Sequence, residues 1–70
     1  MTDEFPKITF KAARINAGYT QDGAAHAIGK TKQTIVNWER GITEIKWKNL
    51  ATLSELYQMP PEYLKMPDGN

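Results

Sequence analysis

Between Thr9 and Leu64 the apolar positions recur three and four residues apart, with no sustained alternation, a pattern that predicts helices and no strands. Thr9 stands ahead of Phe10, Ala13 and Arg14, an arrangement that predicts a first helix capped by a threonine and closed by Gly18. Thr20 opens a second helix, with Asp22 in its first turn complementing the helix dipole and a thin apolar face of Ala24, Ala25 and Ile28. Gly29 and Lys30 make a turn, and Thr31 caps a third helix that points Ile35 and Trp38 inward and ends at Gly41. Residues 42–46 read as a loop. Trp47, Leu50, Leu53, Leu56 and Tyr57 then form the richest apolar face in the chain, on a fourth helix. Pro60 and Pro61 suit the first turn of a short fifth helix containing Tyr63 and Leu64. The expectation is an all-α domain of five short helices over residues 9–66, with a flexible arm at 1–8 and a tail at 67–70. Both Trp38 and Trp47 are expected in its core.

Seventy residues make one domain near the lower size limit for folding without staples. With no cysteine, neither a disulfide nor a Cys/His metal cluster can supply the missing stability, and no cofactor is expected. No apolar run approaches the roughly 20 residues of a membrane span, and the acidic start is unlike a signal peptide. Catalysis is not expected. The sequence offers no paired carboxylates, no Ser/His or Cys/His set and no phosphate loop, and His26 reads as an exposed helix residue. The net charge is only +1, but its distribution is uneven. From Lys7 to Lys48 eight basic residues stand against three acidic ones, a local excess of +5, offset by −2 on each flank. Positive charge is concentrated where the second and third helices lie.

The segment from Thr20 to Gly41 carries the strongest signal. Thr20-Gln21, a small apolar helix, Gly29, and then Thr31-Lys32-Gln33-Thr34-Ile35-Val36-Asn37-Trp38-Glu39-Arg40-Gly41 resembles the Cro/CI-type helix-turn-helix family of phage repressors and related bacterial regulators. The resemblance runs from about Phe10 to Leu64. It implies a compact lambda-repressor-like domain with the helix-turn-helix at helices two and three, acting on double-stranded operator DNA in the cytoplasm of a bacterial host. It further implies that the third helix reads bases in the major groove. Lys32, Gln33 and Asn37 would reach base edges, with Thr31 and Val36 beside them. Gln21 would hold a phosphate, joined by Lys11, Lys30, Arg40 and Lys46. Arg14 and Glu39 resemble the family's ion pair between the first helix and the end of the third.

Four features depart from the family pattern. Gly23 replaces a glutamate that would complete a capping box with Thr20. Ala24 replaces a leucine, so Trp38 or Trp47 is expected to fill the space. The loop after Gly41 is apolar and acidic (Ile42, Thr43, Glu44, Ile45) where the family is basic, and Ile15 replaces a charged residue. Ile15, Ile42 and Ile45 are therefore candidates for a protein interface. Two functions follow as expectations. One is a Cro-like repressor, acting as a homodimer through its fourth and fifth helices or the loop. The other is a modulator or anti-repressor that binds a partner helix-turn-helix repressor.

Overall fold

A helix seven residues long is not stable alone in water; it forms here because both of its ends are satisfied and one face is covered. In the computed structural model, which describes residues 7–67, α1 spans Phe10–Asn16, α2 spans Gln21–Ala27 and α3 spans Lys32–Arg40. A threonine hydroxyl caps each. Thr9 Oγ1 accepts from the Ala12 amide at 3.0 Å, Thr20 Oγ1 from Gly23 at 2.9 Å and Thr31 Oγ1 from Thr34 at 3.3 Å. The longest helix, α4 (Trp47–Tyr57), has no side-chain cap.

The other ends are closed just as regularly. An amide two or three residues beyond each helix bonds back across the terminus: Tyr19 to the Arg14 carbonyl, Lys30 to Ala25, Ile42 to Asn37 and Met59 to Ser54, at 2.8–3.1 Å. This closure needs one left-handed residue per helix. Glycine supplies it at the first three, and Gln58 (φ 55°) at α4. Gly23 serves the opposite end of α2. A Cβ there would stand 3.1 Å from Thr20 Oγ1, so the glycine that removes a capping box leaves room for the simple threonine cap.

The core is a single cluster to which all four helices contribute. Phe10, Ile35 and Leu53 are its largest fully enclosed side chains, joined by Ala13, Ala24, Ala25, Trp38, Ile45, Leu50, Tyr57 and Leu64. Ala24, where the family pattern has leucine, is completely enclosed in the cluster that contains Trp38. The most extensive packing between elements is α2 on α3, which makes the helix-turn-helix one rigid piece. Among the described residues no helix is long and apolar enough to cross a membrane.

Several expectations are corrected. Among the described residues there are four α-helices; the expected fifth is one 3-10 turn, Pro61–Tyr63. Leu64 lies in β2 (Leu64–Lys65), which pairs in parallel with β1 (Ile8–Thr9), Ile8 opposite Leu64. This ties Ile8, the last residue of the expected arm, to the domain. Residues 1–6 of that arm and 68–70 of the tail lie outside the described residues. Trp47 does not enter the core; it is 69% exposed. It sits in the first turn of α4, on the flank of the arc formed by Leu50, Leu53, Ser54 and Tyr57. Ile45, in the preceding loop, is buried instead, at 6% exposure. That burial also removes Ile45 from the candidate interface residues.

Candidate nucleic-acid interface

Helix α3 has two unlike faces. Ile35 and Trp38 are buried and anchor it. Thr31, Lys32, Gln33 and Arg40 are exposed, while Val36 and Asn37 are half-buried. Nine residues give a rod about 13 Å long, comparable to the ~12 Å width of the major groove of B-DNA. On the exposed face the Gln33 amide Nε2 donates to Asn37 Oδ1 at 2.9 Å, one helical turn away. The bond fixes both side chains and leaves the Gln33 carbonyl oxygen and the Asn37 amide group free to meet a partner.

A buried ion pair holds the lower edge of α3. Arg14 Nε donates to Glu39 Oε2 at 2.6 Å and Nη2 to Oε1 at 3.3 Å, a fork that joins α1 to the end of α3. Both side chains are more than nine-tenths enclosed. Arg14 Nη1 also donates to the Tyr19 carbonyl at 3.0 Å. Because the two charges cancel internally, the surface excess of positive charge around the helix pair is unchanged by their burial.

Gln21, expected at a phosphate, has a structural duty that the sequence did not reveal. Its Nε2 donates to Glu39 Oε1 at 3.1 Å. One amide proton is committed to the ion pair and one remains. Lys11, Lys30 and Lys46 are exposed, in keeping with a backbone-contacting role. An open groove lined by Ile15, Gln21, Asp22 and Lys32 brings the end of α1 and the starts of α2 and α3 together. Ile15 (56% exposed) thus lies beside the candidate DNA-facing residues, and Ile42 (63% exposed) follows directly on α3. Among the described residues no cluster of His, Cys, Asp and Glu is suited to hold a metal.

Tyr57, expected on the apolar face of the fourth helix, is buried there, and its hydroxyl is the feature that the periodicity does not show. Its ring lies 6.3 Å from that of Tyr19 at 42°, and its hydroxyl is buried with no hydrogen-bond partner among the described residues. Burial, and then the nearby Glu39 carboxylate, push its pKa up to about 12, with Arg14 acting in the opposite sense. The folded state therefore holds the proton more tightly than the unfolded chain. Stability is complete below pH 10, the unfolded value, and falls as pH rises through about 12. Tyr57→Phe is expected to be neutral or stabilising at pH 7, since it removes an unpaired hydroxyl. It is also expected to unfold less steeply than wild type between pH 10 and 12, read as the difference between two alkaline melting series. Equal slopes would count against a buried hydroxyl at this position.

A family profile of helix-turn-helix domains matches residues 10–64. No curated protein and no solved structure gives a significant match. The profile covers all four helices and the turn between α2 and α3, and the chain belongs to the Cro/CI-type helix-turn-helix family.

Proposed function

We propose that this chain is a sequence-specific transcriptional regulator of the Cro-like repressor type, which binds operator DNA as a homodimer with α3 in the major groove. The observation that carries the reading is the two-faced α3. Ile35 and Trp38 lock it to the core while Lys32, Gln33 and Asn37 stand on the open side with an ordered hydrogen bond between them. Gln and Asn suit the adenine edge and Lys the guanine edge. Gln21, Lys11, Lys30, Arg40 and Lys46 would add phosphate contacts. Repression would be steric, by occupation of the operator.

Gln33→Ala and Asn37→Ala are each expected to cost about 1–3 kcal/mol of operator affinity and to relax specificity at one base pair. Lys30→Ala should weaken all sequences alike and flatten the salt dependence. Gel shifts over a salt series, on DNA selected by the wild-type protein, give both quantities. No shift at low salt for any sequence would sink the reading.

A second reading has its own support. Ile15 and Ile42 are exposed beside or directly after the α2–α3 unit, and Asp22 and Glu44 accompany them. This composition suits a modulator that meets a partner repressor through this side of the molecule. Ile42→Asp should then abolish co-elution with the partner while leaving the circular dichroism melt unchanged. Retained co-elution would exclude the loop as the contact.

A further inference from the structure

Val36 is the one residue on the exposed arc of α3 that the proposed readout leaves without a task. At about 100° per residue, it and Asn37 lie about 50° to either side of the outward direction, opposite the buried Ile35 and Trp38. Lys32 and Gln33 precede it by one turn and Arg40 follows by one turn. It is the only apolar side chain among them. Val36 is half-buried, yet it belongs neither to the core cluster nor to the partly buried side chains packed against that cluster. A β-branched residue on an open helix face is also a poorer helix former than alanine, glutamate or lysine. Packing and propensity thus give no reason for a valine here.

Resting on the DNA-binding reading above, we infer that Val36 selects thymine by seating its methyl groups against the thymine C5 methyl in the major groove. The major-groove edge of a base pair has one apolar feature, and it is that methyl group. Guanine and adenine N7, guanine O6 and the amino groups of adenine and cytosine all need hydrogen-bond partners. Pressed against a valine they would lose water and gain nothing. Attraction for one base and a penalty for the others act in the same direction. The polar neighbours at 32, 33 and 40 confine this apolar spot to a single base position.

The test is site selection from a random-sequence DNA duplex library with wild-type protein and Val36→Ala, followed by replacement of individual thymines by deoxyuridine, which removes only the C5 methyl. Wild type is expected to recover sites with a fixed thymine in each half-site. Deoxyuridine at that position should weaken its binding about fourfold, the factor for ~0.8 kcal/mol per buried methyl-sized group. Val36→Ala should be indifferent to the same change. Should the alanine variant lose helix content, Val36→Thr keeps the branched shape and is expected to show a smaller methyl dependence than wild type. Enriched wild-type sites with no methyl dependence, or one that persists unchanged without Val36, would overturn the inference while leaving the DNA-binding reading intact. No enrichment of any sequence at low salt would remove both.

Discussion

Glu39→Ala is expected to cost about 3–5 kcal/mol, enough to leave much of the population unfolded. The substitution removes the acceptor for the two Arg14 donors and for Gln21. It leaves a guanidinium enclosed on nearly all sides with only the Tyr19 carbonyl to bond. Replacing both partners by apolar side chains, as in Arg14→Met with Glu39→Leu, is expected to restore most of the loss, because no orphaned charge remains. Thermal melts of the two single variants and the double variant measure the coupling. A Glu39→Ala melt within a few degrees of wild type would show that the pair is not buried in solution. The double variant also separates two roles. It should keep the fold but removes the fork that joins α1 to the end of α3, so, on the proposed DNA-binding reading, affinity should fall while stability recovers.

Trp38→Ala should cost about 3–5 kcal/mol, whereas Trp47→Ala should stay within about 0.5 kcal/mol. The two tryptophans are 4% and 69% exposed. Trp38 lies on the buried face of α3, so the cavity left by its removal adjoins the anchor of that helix. Denaturant midpoints give the energies. Emission gives an independent reading, because Trp47→Phe isolates a tryptophan that should emit at the blue end of the range until the protein unfolds. A red-shifted native spectrum from that variant would contradict burial of Trp38.

The contrast between these tryptophans marks the limit of what was legible in the sequence. Caps and turns were readable because their chemistry is local. A threonine three residues ahead of its partner amide, or a glycine one or two residues past a helix, needs no tertiary information. The same holds for the division of α3 into buried Ile35 and Trp38 and a polar opposite face. Ile45 and Trp47 differ in kind. Both are large and apolar, two residues apart, and which of them turns inward depends on the angle at which the loop delivers α4. The bond from Gln21 to Glu39 spans eighteen residues of chain and has no periodic signature. The β1–β2 pairing is two residues long, too short for alternation to announce it.

That pairing has a kinetic consequence. Ile8 opposite Leu64 closes almost the whole chain into one loop. Closing a flexible loop of this length costs about 3.5 kcal/mol of entropy, more than a two-residue ladder returns by itself. The pairing therefore waits for Phe10 and Leu64 to meet on an assembled core. The α2–α3 pair, by contrast, is joined by a short turn and closes early. In hydrogen exchange the amides of the two strands should open first and most often, while those of α2 and α3 persist to global unfolding. On this account the strand pair is a clasp, and it can spring without disturbing α2 and α3.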